Sequence, residues 1–199
     1  MLDTHAETPP DRRPAILICV YETDDPAWPA LDDRSRADWS PPGARTLPVG
    51  PGDPEILAGL ISAELRRTEC LSVLLVGRTR RSDGFRIQIR AENKALTGGA
   101  KLTSTGPALA RATAPAAEMV RALTEAGLTA DATSDSEEDA GSYLLYRVLT
   151  ALPDNADAPA IGLLRAPVSI GFETLRRGVQ AATGVMARHM APLPRHRLG

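Results

Sequence analysis

Side chains able to carry chemistry are sparse in this sequence, and their spacing limits what they can do. The two thiols, Cys19 and Cys70, lie in or beside apolar runs. Apolar surroundings raise a thiol pKa and suppress the nucleophilic thiolate, so both read as free, buried, structural cysteines. His5, His189 and His196 are scattered, the last in a Pro/Arg-rich stretch, and give no metal-ligand spacing. No metal and no cofactor is expected. Gly98-Gly99 has neither the spacing nor the following helix of a phosphate-binding loop. Two charge clusters stand out. Asp135-Ser-Glu-Glu-Asp139 suits a solvated loop and the N-terminus of a helix, where negative charge meets the dipole. Arg78, Arg80, Arg81 and Arg86 surround one turn and read as a solvated tip or an oligomer contact before an anion site. Arg195 and Arg197 are too few to hold nucleic acid.

The totals agree with an ordinary globular chain. Its 199 residues suit one domain, with 43% hydrophobic and 24% charged residues and a formal net charge of −2. So even a balance argues against a coat for nucleic acid or anionic membrane. No apolar run reaches the roughly 20 residues that cross a bilayer, and the polar, proline-bearing start lacks a signal-peptide core. A cytoplasmic location is expected. Residues 1–14 read as a disordered leader, 15–190 as a single α/β domain, and 191–199 as a flexible tail.

The elements that must position any site follow from periodicity. Ala15 to Tyr21 is a continuous apolar run, the signature of a buried parallel strand. The proline-rich stretch Thr23 to Gly43, with Trp28 and Trp39, predicts loop with at most a short helix near residues 30–37. Arg45 to Val49 predicts an edge strand carrying a proline. Asp53 and Pro54 open a helix to about Arg67. Leu71 to Val76 predicts a buried strand ending at Gly77, and Phe85 to Ala91 a half-buried strand joined to it by a Ser82-Asp-Gly84 hairpin turn. Gly98 to Gly106 reads as loop. Pro115 opens a helix closed by Gly127, a short strand follows near 128–132, then a helix from Ala140 to Leu152. Ala158 to Val168 predicts the last strand and Gly171 to Met190 the last helix. Helices alternating with buried strands imply a three-layer α/β domain around a mostly parallel sheet.

Several of these segments resemble blocks of the pyroglutamyl peptidase I (pyrrolidone-carboxylate peptidase) family, α/β cysteine peptidases that remove an N-terminal pyroglutamate. Gly106-Pro-Ala-Leu-Ala-Arg-Ala-Thr-Ala-Pro115 looks like the family's "GPAAYFSTLP" run. Ala140-Gly-Ser-Tyr-Leu-Leu-Tyr146 is similar to the "AGTFVCN" block that opens the nucleophile helix, and Gly162-Leu-Leu-Arg-Ala-Pro167 to the "GFIHIP" strand. Arg90-Ala-Glu-Asn-Lys-Ala95 can be laid over "ERVA", and Ile16 to Glu22 over the opening "ILVTGFEPF". The resemblance runs through roughly residues 15 to 185 in the same order.

It implies the fold, and it implies a changed site. The family's cysteine falls on Leu145, which has no nucleophilic atom. Its histidine falls on Arg165, a permanent cation that takes no proton at neutral pH. Its acid falls on Glu92, or on Arg90 in a neighbouring register. Ser142, nearly one helical turn before Leu145, would need a base of its own. Tyr21 keeps one aromatic wall of the substrate pocket. Two functions are then expected. The first is a repurposed small-molecule enzyme, an isomerase, cyclase or lyase of the kind used in specialised biosynthesis. In it Arg165 holds a small anionic or carbonyl-containing ligand beside Tyr21, and Tyr146 and Glu92 handle a proton. The second is a non-catalytic binding or assembly scaffold, with Glu92 and Arg165 joined in a salt bridge. The resemblance also implies a homo-oligomer.

Overall fold

The computed structural model describes residues 11–22, 24–25, 40–67, 70–97, 100–152 and 158–190. Most of the expected leader, the tail 191–199, the short helix near 30–37, Trp28 and Trp39 lie outside the described residues.

Six strands form the middle layer: β1 (Ala15–Val20), β2 (Arg45–Val49), β3 (Cys70–Thr79), β4 (Phe85–Gln88), β7 (Ala130–Thr133) and β8 (Ala160–Pro167). They make one sheet in the order β2-β1-β3-β8-β4-β7. The first four in that order run parallel; β4 is antiparallel to β8 and parallel to β7. The alternation of side chains along β1 feeds two cores. Ile16, Ile18 and Val20 pack with α2 (Ala116–Glu125) and α4 (Phe172–Met190), through Met119, Leu123, Leu175 and Val179. Leu17, Cys19 and Tyr21 face α1 (Pro54–Leu65) and α3 (Ala140–Thr150), through Leu57, Ile61, Leu144 and Leu145. No helix among the described residues is long and apolar enough to cross a membrane.

Local chemistry explains the helix starts. Asp53 accepts from the backbone N–H groups of Glu55 and Ile56, with Pro54 already holding a helical φ. Asp139 accepts from Ser142 N–H at 3.0 Å to cap α3. Gly127, at φ 74°, closes α2 in a conformation that a side chain would strain.

Three expectations change. Ser82-Asp-Gly84 joins β3 to β4 but makes no hairpin, because the wholly buried β8 inserts between them and pairs with both. Strand β3 continues past Gly77 to Thr79, since Arg78 and Thr79 still find partners in Ala166 and Pro167 of β8. The single strand expected over Phe85 to Ala91 breaks at Ile89. The Gln88 side chain donates to the Arg90 carbonyl at 2.8 Å and holds the bend. Beyond it, β5 (Arg90–Glu92) leaves the main sheet and pairs with β6 (Leu109–Arg111), a strand that periodicity does not reveal.

Candidate functional site

In sheets of this kind, clefts open beyond the carboxyl ends of the parallel strands. Here β1 delivers Tyr21 to that end, β3 delivers Arg78 and Thr79, and β8 delivers Arg165. The N-terminus of α3 adds Asp139 and Ser142 from above.

Arg165 is the centre of the site and has no solvent exposure. Its guanidinium grips the Asp139 carboxylate with two bonds, Nη1 to Oδ2 at 2.6 Å and Nη2 to Oδ1 at 2.7 Å. Nε donates to Gln88 Oε1 at 2.9 Å, Nη2 to Ser142 Oγ at 3.0 Å, and Nη1 approaches Tyr21 Oη at 3.4 Å. These bonds use every donor that a guanidinium has. Glu137 adds a second carboxylate 3.7 Å from Nε and is itself held by Thr79 Oγ1 at 2.7 Å. Burial opposes the Arg165 charge, but Asp139 and the neighbouring negative groups outweigh it, so its pKa lies above the ordinary arginine value. Burial likewise pushes the Tyr21 hydroxyl well above the usual phenol range, and it stays neutral.

A second arginine closes the same end of the sheet. Arg78 binds both Asp25 oxygens, at 2.9 and 3.2 Å, and its backbone N–H donates to Glu22 at 3.0 Å. Tyr21 fills the space between these pairs. Its hydroxyl and ring lie against the backbones of Gly77 and Gly141, where a Cβ on either would overlap it.

The residues expected to act together are not all neighbours. Tyr21 and Arg165 meet. Glu92 sits on β5 and pairs with Lys94 at 2.8 Å instead of with Arg165. Arg90, the other register, donates to the Ser134 carbonyl at 2.6 Å. Tyr146 is buried and donates to the Pro107 carbonyl at 2.7 Å, clamping that loop onto α3. Leu145 is wholly buried in the apolar core. Ser142 Oγ meets Gln88 and Arg165, and neither a carboxamide nor a guanidinium takes a proton at neutral pH.

Two residues of the cluster escape a reading of the sequence. Gln88 takes the place against Arg165 that was expected of the acid. Laying "ERVA" over Gln88-Ile-Arg-Ala91 would find it, because that register ends on alanine as well. Asp139 is legible as a helix cap but not as the ligand of an arginine. The arginine group around residues 78–86 is not one patch: Arg78 turns inward to Asp25, while Arg86 reaches Thr133 at 2.6 Å and Asp131 and Asp135 at 3.6 and 3.5 Å.

A cavity of about 80 Å³ lies over Asp139, bordered by Glu92, Lys94, Glu137, Glu138 and Ser142. Pockets for small molecules are commonly some 300 Å³ or more, roughly fourfold larger. Among the described residues no group of ligating side chains fits a metal ion.

Both thiols are buried. Burial pushes Cys19 up to about 12 and raises Cys70 as well. At about pH 8 the folded protein is therefore expected to react with a thiol reagent only through opening. Both cysteines should label at the unfolding rate, and immediately in denaturant. Fast labelling of Cys19 in the folded state would contradict the packing of β1.

No family model matches the sequence, and no curated protein matches it either. Solved structures do. Pyroglutamyl peptidase I of Bacillus amyloliquefaciens aligns with a TM-score of 0.74 at 13% identity, covering 89% of this chain and 98% of that one. Pyrrolidone carboxyl peptidase of Thermus thermophilus gives 0.66 at 19% identity, covering 85% and 99%. A mutant of the pyrrolidone carboxyl peptidase of the hyperthermophile Pyrococcus furiosus gives 0.75 at 14% identity, covering 89% and 100%. The chain has the pyroglutamyl-peptidase α/β fold.

Proposed function

We propose that this chain is a non-catalytic protein on the pyroglutamyl-peptidase fold, a binding or assembly scaffold whose cleft is closed by its own charged side chains. The observation that carries this reading is Arg165, unexposed and held by Asp139, Gln88, Ser142 and Tyr21. Acyl transfer by a cysteine peptidase needs a thiolate and an imidazole. The resemblance aligns those two groups with Leu145 and Arg165, and neither replacement supplies the chemistry. A fold does not carry its function with it.

The rival reading is the repurposed enzyme using Glu92, Tyr146 and Arg165. The small cavity beside Glu92 and Ser142 favours it. The separate partners of Glu92 and Tyr146, and the saturated guanidinium, weigh against it.

A chromogenic pyroglutamyl amide and a titration with small carboxylates, pyroglutamate among them, test both. The scaffold reading expects no hydrolysis above buffer and no carboxylate bound at Arg165. Turnover blocked by a thiol reagent would overturn the loss of peptidase chemistry. A carboxylate displacing Asp139 from Arg165 would restore the enzyme reading.

A further inference from the structure

Each acid in the run Ser134-Asp-Ser-Glu-Glu-Asp139 has a partner on a different part of the sheet. Asp135 reaches Arg86 of β4 at 3.5 Å, and Glu137 accepts from Thr79 of β3 at 2.7 Å. Glu138 meets Lys94, just past β5, at 3.4 Å, and Asp139 holds Arg165 of β8 at 2.6 and 2.7 Å. Glu137 also stands 3.7 Å from Arg165, and the Ser134 carbonyl accepts from Arg90 of β5 at 2.6 Å. Polar side chains do this fastening without help. Residues 134–138 have no apolar side chain to bury. Among the described residues, their backbone makes no backbone bond to another element. Its remaining bonds are local, from Asp135 N–H to Thr133 Oγ1 and from Asp139 N–H to the Glu137 carbonyl, both at 3.0 Å.

The two ends of this segment are firm and its middle is weak. Thr133 is buried at the end of β7, and its carbonyl accepts from Ile89 N–H at 2.9 Å. Asp139 caps α3 and grips the unexposed Arg165 with two bonds. Between them the Asp135 and Glu138 side chains are 67% and 78% exposed, and Lys94 is 47% exposed. Exposed ion pairs are individually weak and are screened by salt. A surface segment with few apolar contacts and solvent-exposed bonds opens well below the free energy of global unfolding. The cavity of about 80 Å³ lies just inside it, bordered by Ser136, Glu137 and Glu138 of the segment and by Leu96, Ser142 and Tyr143 of the body. The segment is thus already parted in places from the surface it covers.

We propose that residues 134–138 form an electrostatic strap that swings out between Thr133 and Asp139 while the rest of the domain stays folded. Opening joins the small cavity to solvent and uncovers Ser142 and Tyr143, both buried in the closed state. The proposal rests on the closed-cleft reading, because Asp139 must stay on Arg165 to serve as the inner hinge. In a binding scaffold, the surface behind the strap is then available to a partner only when the strap is open.

A Glu-specific protease reads the opening. Glu137 and Glu138 lie in the strap, whereas Glu118 is exposed but inside α2 and is cut only when that helix unfolds. Rates are taken relative to a free peptide of residues 130–142 at each salt concentration. Cleavage after Glu137 or Glu138 is expected to outpace cleavage after Glu118 by about tenfold or more. It should rise severalfold from roughly 0.1 to 1 M NaCl, as the Debye length falls from about 10 to about 3 Å. Lys94→Gln should speed strap cleavage by roughly two- to fivefold and leave the Glu118 rate and the circular dichroism unchanged. Cleavage after Glu137 and Glu138 no faster than after Glu118 would overturn the strap. With Asp139→Ser still strongly destabilising, the closed cleft would survive that result. Strap cleavage as fast as in the free peptide at low salt, indifferent to Lys94→Gln and joined by an unshifted Asp139→Ser midpoint, would sink both.

Discussion

Asp139→Ser is expected to destabilise the protein by about 3–5 kcal/mol, the usual cost of breaking a buried ion pair, since Glu137, 3.7 Å from Nε, cannot replace the two-bond grip of Asp139 on the guanidinium. Serine still caps the helix, so the loss isolates the carboxylate. The reciprocal change, Arg165→Met, should cost less, about 1–3 kcal/mol. The reason is exposure: the Asp139 side chain is 30% exposed and recovers water when abandoned, whereas Arg165 at 0% cannot. The double variant should lie closer to wild type than Asp139→Ser alone, because a buried cation that has lost its bidentate carboxylate is the dominant cost. In a domain of this size each kcal/mol moves Tm by roughly 2–4 °C, so Asp139→Ser should melt on the order of 6–20 °C lower. Denaturant midpoints for wild type, the two single variants and the double variant measure this. An Asp139→Ser midpoint within about 1 kcal/mol of wild type, both alone and beside Glu137→Gln, would mean that the pair does not form, and the closed cleft would fall with it.

That asymmetry also shows what the sequence could and could not disclose. The buried strands and capped helices are local patterns: Ala15 to Val20 is apolar throughout, and Asp53-Pro54 and Asp139 announce helix starts. The partners of Arg165 are not local. Gln88 lies 77 residues away and Asp139 26 residues away, and they meet only because β8 inserts between β3 and β4. Periodicity reports which residues are buried, not which strand will come between its neighbours. The misplacement of Glu92 has the same origin. Along one continuous strand, Gln88, Arg90 and Glu92 would share a face. The bend at Ile89 ends that alternation and carries Glu92 into the β5–β6 sheet, where Lys94 meets it. Tyr146 is one turn of α3 beyond Ser142, far enough to reach the Pro107 carbonyl and not the guanidinium.

The Tyr21 ring makes a second large effect predictable. Gly141 is in the first turn of α3, where alanine would ordinarily gain about 0.5–1 kcal/mol through backbone entropy. Here the new Cβ would fall 2.6 Å from Tyr21 Cζ and closer still to the hydroxyl. The ring has nowhere to go, since the Gly77 backbone crowds its other side and Arg165 approaches its oxygen. Gly141→Ala should therefore lose about 2–3 kcal/mol net, as overpacked core sites do. Gly184, in α4, is the control. A Cβ there meets only Arg188 Nη1, at 3.8 Å. Gly184→Ala should accordingly gain the about 0.5–1 kcal/mol of an unstrained helix site. Adding Tyr21→Val to Gly141→Ala should recover some of the loss, because the methyl then enters space the ring has left. A double variant that shows no such coupling would mean that Tyr21 does not fill the slot between the two glycines. The crevice at the strand ends would then be open, and the repurposed-enzyme reading would regain the room it needs.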